Sequence, residues 1–232
     1  MCGHKAILTI GLRGLVVDHL EAPYGSCQFV GLGDDRHVRG VEISMATFSD
    51  EQLRATLEPL TLDWNSRSGL RDAAVLVPWF VRGGKDFILY TKRTEHLRAH
   101  AGEVSFPGGA REGSEDALAC ALRESSEEIG LDSGSVVILG CLPDMVSIAG
   151  YLVRLFVGRV SPPDDLKLDR TEVERVIEVS IGDLQCDEKW EWRTLEAPPL
   201  RRTLPFFDIG GCELWGLTAL FTRELLCRIE KA

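Results

Sequence analysis

Across residues 109–131 apolar and acidic positions both recur at helical spacing. Leu118, Leu122, Ser125 and Ile129 form a largely apolar stripe. Glu124, Glu127 and Glu128 fall at i, i+3 and i+4, which a helix stacks on one face, offset from that stripe. Ser114 is the expected N-cap, Glu115 and Asp116 suit the positive end of the helix dipole, and Gly130 suits a left-handed C-terminal cap. Like charges at this spacing destabilise a helix by roughly 0.2–0.5 kcal/mol per pair. The alignment therefore asks for a counter-charge, which a divalent metal would supply.

Elsewhere the pattern favours strands. Residues 73–77 read as a buried strand and residues 87–91 as its hairpin partner across Arg82, Gly83, Gly84 and Lys85. Beyond the acidic helix, residues 136–139, 151–160 and 173–179 are strand-like. Ser49 with Gln52 makes a capping box, and Leu53, Leu57 and Leu60 follow at helical spacing, which predicts a helix over 50–58 limited by Pro59. A last helix is predicted over 218–229, with Leu220, Phe221, Leu225 and Ile229 inward. Strands on both sides of a central helix, with a second helix at the end, predict an α/β fold: a mixed β-sheet between helical layers. Residues 1–48 are weakly periodic and stand as an N-terminal extension of undefined role. Residues 49–232 form the main domain, entered through a linker-like stretch at Asn65, Ser66, Ser68 and Gly69.

Composition narrows the partners. The 232 residues are enough for one good core plus an extension. A formal net charge of -10 argues against a nucleic acid or an anionic membrane as partner. Seven cysteines without CxxC spacing suggest neither a disulfide framework nor a structural zinc site, and point to a reducing compartment. No apolar run reaches membrane-spanning length. The opening residues lack acidic side chains up to Asp18, but Arg13 interrupts the apolar run and no small-residue cleavage site follows. A cytoplasmic location is expected, with a mitochondrial one left open. Oligomeric state is open too, a homodimer being one alternative.

Three carboxylates on one rigid face offer oxygen ligands to a hard ion such as Mg2+ or Mn2+. Magnesium keeps several waters and shares its remaining positions with substrate phosphates, so the expected substrate is a diphosphate. Two such ions would polarise the phosphoryl oxygens and activate a water. Upstream, Lys92, Arg93, Arg98 and two histidines make a local basic island in an acidic protein, suited to peripheral phosphates. His100, a candidate substrate residue, either acts on a phosphate or is simply a polar loop residue. Arg123 alone would also pass for half of a surface ion pair worth about 0–1 kcal/mol. Trp215 is expected in the core rather than stacked on a substrate base.

Taken together, Gly109, Glu115, Arg123, Glu124, Glu127, Glu128, Gly130 and Leu131 stand at spacings similar to the signature of the Nudix hydrolases. Ser125 departs, occupying a slot that is usually aliphatic or alanine. A serine there bonds back to a helix carbonyl, with a small packing loss expected. The resemblance implies a Nudix-type α/β/α sandwich. It also implies that Glu124, Glu127 and Glu128 bind metal with the main-chain carbonyl of Gly108, and that Arg123 pairs with Glu115 to fix the loop to the helix. The general base would be Glu127 or Glu128, or a later carboxylate, Glu172 or Glu174.

Leu89, Thr91, Arg93, Arg98, Gly102, Phe106, Pro107, Gly108 and Gly109 resemble the extra motif of the coenzyme A diphosphatase branch, from which Tyr90 and Thr94 depart. That likeness implies substrate contacts from Arg93, Arg98, Phe106, Pro107 and Gly109. It further implies cleavage of coenzyme A or acyl-coenzyme A to 4'-phosphopantetheine, or its acyl form, and adenosine 3',5'-bisphosphate. The alternatives are a Nudix hydrolase of another nucleoside diphosphate derivative (ADP-ribose, NADH, a dinucleoside polyphosphate or a modified nucleotide) and a non-catalytic nucleotide-binding module. The intact carboxylate set speaks against the module.

Overall fold

The structure is a computed structural model that describes residues 47–97, 100–197 and 200–231. Nearly all of the expected N-terminal extension, and Arg98, lie outside those residues. Helix α1 (Asp50–Thr56) opens on the expected capping box: the Ser49 hydroxyl accepts the Gln52 N–H and the Gln52 side chain accepts the Ser49 N–H. It ends two residues earlier than predicted, because Glu58 leaves the helix to exchange backbone hydrogen bonds with Cys141. Strands β1 (Arg71–Arg82) and β2 (Lys85–Arg93) form the predicted hairpin. Gly83 and Gly84, at φ 58° and 74°, supply the left-handed backbone that its two-residue turn needs.

Two short strands, β3 (Val104–Ser105) and β4 (Gly108–Ala110), precede helix α2 (Ala117–Ile129). Then follow β5 (Val137–Val146), β6 (Tyr151–Arg159), β7 (Val173–Ser180) and the short helix α3 (Ile181–Leu184). The chain continues through β8 (Trp190–Ala197), β9 (Leu200–Asp208), β10 (Glu213–Leu214) and α4 (Gly216–Ile229). The main sheet runs β3-β2-β1-β6-β5, with β4 added to β1 and β7 to β2. It is mixed, since β1 and β6 pair in parallel and the other neighbours are antiparallel.

Strand alternation divides the interior into two cores. On one face Ala73, Val77, Trp79, Tyr90 and Leu155 pack against Leu53 of α1 and Phe221, Leu225 and Ile229 of α4. On the other, Ala74, Leu76, Phe80, Leu89 and Phe156 pack against Ala117, Cys120, Ala121 and Ile129 of α2. The result is the expected α/β sandwich with helices on both faces of a mixed sheet. The second sheet, β10-β9-β8, was not predicted. Strand β8 exposes Glu191 to Glu196 on both faces, so no buried stripe marks it in the sequence. Cys120, Cys141, Cys186, Cys212 and Cys227 are free thiols, and among the described residues no helix is long and apolar enough to cross a membrane.

Asp86 fixes the entry of the chain onto this scaffold. Its buried carboxylate accepts the Phe48 N–H (2.7 Å) and the Trp79 indole N–H (2.5 Å), and pairs with Arg159 (3.3 Å). Asp86→Ala leaves those donors unsatisfied and should lower unfolding stability by about 3 kcal/mol in urea denaturation. A loss of less than about 1 kcal/mol would show the cluster to be replaceable by water.

Candidate active site

The acidic helix is capped by Asp116, not Ser114. The Asp116 carboxylate accepts the Ala119 N–H at 2.8 Å, which starts the helix at Ala117 and leaves Glu115 in the preceding loop. Gly130, at φ 68°, closes the other end as expected, and its N–H returns to the Ser125 and Ser126 carbonyls. The buried face also differs from the predicted stripe. It centres on Ala117, Cys120, Ala121, Ser125 and Ile129, with Leu118 and Leu122 at its margin. Small side chains let the helix sit close to the sheet. Ser125 satisfies its buried hydroxyl by donating to the Ala121 carbonyl at 2.7 Å.

This close approach gives the aligned carboxylates different degrees of burial. Glu128 turns inward and is 3% exposed, accepting the Gly108 N–H at 3.2 Å. Glu124 lies against Gly109, where a Cβ would meet its carboxylate carbon at 2.5 Å. Gly108 has no room for a side chain either, because a Cβ would press on the Ala74 carbonyl and Val75. Glu127 faces outward, with 40% of its side chain exposed. The three glutamates share one face of the helix, as expected, but differ sharply in solvation. Burial pushes the Glu128 carboxyl up to about 8; Arg93 opposes the shift, and the neighbouring Glu124 and Glu172 add to it.

Two arginines organise these groups. Arg123 grips Glu115 through two bonds, Nε to Oε2 at 3.0 Å and Nη2 to Oε1 at 2.8 Å, and also reaches Glu124 (2.9 Å), Glu127 (3.5 Å) and the Ala110 carbonyl (3.3 Å). It is a clamp between loop and helix, well beyond a solvated surface pair. Burial alone would push the Glu115 carboxyl up, but the Arg123 fork and the Glu112 N–H outweigh it and hold the group below its ordinary value. Arg93 sits 3.4 Å from Glu128 and 3.8 Å from Glu172. Glu172 and Glu174 diverge: Glu172 faces the site, whereas Glu174 bonds Lys92 at 2.6 Å, which holds its carboxyl below the usual range. The expectation of Glu174 as a catalytic base is corrected accordingly. Glu174 is the extra residue at the register shift between β2 and β7, and its carboxylate turns to Lys92 there.

A cleft open to solvent lies on the α4 side of the sheet and reaches Gly108 and Gly109. Ala73, Val75, Val153, Leu217 and Phe221 give it apolar walls, and Arg93, His100 and Trp215 give it polar or aromatic edges. Arg93, Gly108 and Gly109 serve both regions, since they line the cleft and contact the carboxylates. Of the remaining expected substrate residues, Phe106 lines the cleft but is 3% exposed and stacked on Tyr90, while Arg98 lies outside the described residues. Pro107 is buried and its carbonyl accepts the Leu76 N–H, so its position is structural. Trp215 is only half buried; its ring stacks on Phe206 (6.0 Å, interplanar 6°) and borders the cleft, which corrects its expected place in the core. The sequence did not single out Glu103, which holds His100. Gly102 between them was the available sign of a turn that brings the two together.

The donors fit a small hard cation: two carboxylates, one of them disfavoured as an anion by its own burial, beside a glycine strand. Among the described residues no three His, Cys, Asp or Glu side chains enclose an ion by themselves. A family model for the NUDIX domain matches residues 70–202. The chain belongs to the Nudix family. Curated relatives agree: it is 35% identical over 164 residues to the uncharacterized Nudix hydrolase NudL of Escherichia coli K12, covering 68% of this chain and 83% of that one. To NudL of Photorhabdus laumondii it is 31% identical over 190 residues, covering 81% and 99%. Among solved structures, a MutT protein from Methanosarcina mazei Go1 is similar, with 19% identity, a TM-score of 0.45 and coverage of 72% and 97%. As a Nudix hydrolase the chain acts on diphosphate linkages.

Two expectations follow for this Nudix site. Arg123→Lys cannot reproduce the fork on Glu115, so it should destabilise the protein by about 1–3 kcal/mol in denaturant titration and lower turnover about 10- to 100-fold. In metal-free, chelator-treated protein, Glu128 holds its proton to about pH 8 whereas the unfolded chain releases it at the ordinary 4.5. Its contribution is therefore full below about pH 4.5 and is lost as the pH rises towards 8. Thermal unfolding of the metal-free protein should decline over that window, and Glu128→Gln should flatten the decline. An unchanged slope in the variant would refute the assignment.

Proposed function

We propose that the protein hydrolyses the diphosphate bond of coenzyme A or acyl-coenzyme A with Mg2+ or Mn2+, releasing 4'-phosphopantetheine, or its acyl form, and adenosine 3',5'-bisphosphate. The observation that carries this reading is the dual position of Arg93, Gly108 and Gly109, which border an apolar cleft and also touch the inward-facing glutamates. A diphosphate bound there would present its charge to Arg93 and the glycine strand, and its organic arm to Val75, Val153, Leu217 and Phe221. The upstream motif that includes Arg93 and the Phe106 to Gly109 run points to the coenzyme A branch among diphosphate substrates.

Glu124, Glu128 and the Gly108 carbonyl would hold the ion, with Glu127 joining from the solvent side. A divalent ion there supplies polarisation of the phosphoryl oxygens and a lower pKa for the attacking water. Glu127, the most exposed of the three, would take the proton of that water. Arg93 orients the anionic substrate, and Glu172 keeps the Arg93 guanidinium turned towards the cluster. Arg123 is a positioning residue that locks the helix to the Glu115 loop.

The test is product identification by mass spectrometry after incubating the full chain with Mg2+ or Mn2+ and coenzyme A. Adenosine 3',5'-bisphosphate and phosphopantetheine are expected, and Glu124→Gln should slow their release about 100-fold or more while the protein stays folded. Cleavage of ADP-ribose or NADH with coenzyme A untouched would replace the substrate. Binding of these compounds by calorimetry without turnover of any would favour the non-catalytic module.

A further inference from the structure

His100 combines three features that a plain loop residue lacks. Its backbone is left-handed, at φ 56°, a conformation that non-glycine residues adopt only when their surroundings impose it. Its side chain is 6% exposed, and Nδ1 lies 2.6 Å from the Glu103 carboxylate. Its other ring nitrogen, Nε2, is buried and has no hydrogen-bond partner among the described residues. Native interiors rarely leave such an atom unsatisfied. The residue lines the cleft together with Arg93 and Phe106, so the unsatisfied atom belongs to a cleft-lining side chain.

The surroundings fix the ring rather than merely tolerate it. Residues 100–103 form a turn in which the Glu103 N–H donates to the His100 carbonyl and Gly102 takes φ 71°. The left-handed backbone at Gly102 is what calls for glycine in this turn, since the nearest atoms a Cβ would meet belong to the movable Glu95 carboxylate. The Glu103 carbonyl accepts the Arg93 N–H at 2.9 Å, which ties the turn to the end of β2. Ring and arginine are thus held in register by one anchor.

A carboxylate oxygen accepts, so Nδ1 carries the hydrogen of that bond, and in the tautomer this selects, Nε2 presents a lone pair. An ionised phosphate oxygen has no hydrogen to give it. We infer that His100 is a specificity-determining residue whose Nε2 accepts a hydrogen bond from a hydroxyl or amide N–H of the substrate's organic moiety, while Arg93 and the glutamate site deal with the diphosphate. The inference rests on the cleft being the substrate site. It does not depend on which diphosphate is cleaved, because the organic arms of coenzyme A and of ADP-ribose both carry such donors.

His100→Asn tests it. Asparagine tolerates the left-handed backbone and can keep the bond to Glu103 through its own amide, but it has no atom at the place of Nε2. In the full chain with Mg2+, the variant should raise KM for coenzyme A about ten- to a hundredfold, the range expected for one lost buried hydrogen bond. Inhibition by inorganic diphosphate, which offers no organic donor, should keep its wild-type constant, and thermal unfolding should not move. His100→Gln, which returns an amide oxygen near Nε2, should recover part of the loss. An unchanged KM, or an equal weakening of coenzyme A and inorganic diphosphate, overturns the assignment. Should the wild type ignore coenzyme A and cleave ADP-ribose, only the coenzyme reading falls, and the same comparison on ADP-ribose decides the role of His100.

Discussion

The contact on which this site depends is the one between the inward carboxylate of Glu128 and the N–H of Gly108, 3.2 Å apart. It exists because both sides of the helix–strand interface are stripped of bulk. The helix presents Ala117, Cys120, Ala121 and Ser125, and the strand presents two glycines that admit no Cβ. Taking a carboxylate out of water is unfavourable by several kcal/mol unless its partners compensate fully. One backbone donor and an arginine at 3.4 Å do so only in part, which is why the group resists ionisation. The fold thus holds a carboxylate whose anionic form becomes comfortable only beside a cation.

The positive charges around it are largely committed. Arg123 serves Glu115, Glu124 and Glu127, and Arg93 stands between Glu128 and Glu172. An incoming polyanion therefore meets arginines already engaged with carboxylates. This is the electrostatic situation in which a bound divalent ion decides both affinity and reactivity. Separation of tasks follows from it: charge is managed along the glycine strand and α2, while the organic part of a ligand meets apolar walls and a few fixed hydrogen-bonding groups.

Those walls come from parts of the chain distant in sequence. Trp215, Leu217 and Phe221 belong to the junction of β10 with α4, and the small second sheet braces that junction by stacking Phe206 on Trp215. Pro107 separates β3 from β4 while its carbonyl holds Leu76, so the Phe106 to Gly109 turn is stapled to β1. A region that adds nothing to the glutamate cluster thereby shapes what the cleft can accept.

Periodicity and spacing by themselves determined the hairpin of β1 and β2, the acidic helix with its Gly130 cap, the terminal helix and the layered mixed sheet, while the pairing of Arg123 with Glu115 came from the family resemblance. These are local or nearly local: a glycine pair in a turn, a capping residue and a 3.6-residue period act over a few positions. The short strands β3 and β4, the β8–β9 hairpin and the true helix cap lacked a periodic signature long enough to be legible. Tertiary packing alone decided which of three similar glutamates is buried, that Glu172 and not Glu174 turns to the site, and that His100 keeps one nitrogen on Glu103 and the other buried. The sequence lists the charged groups but not their solvation. Burial and the distance to a counter-charge are set only when strands and helices close on one another, and those two quantities fix what each carboxylate or imidazole can do.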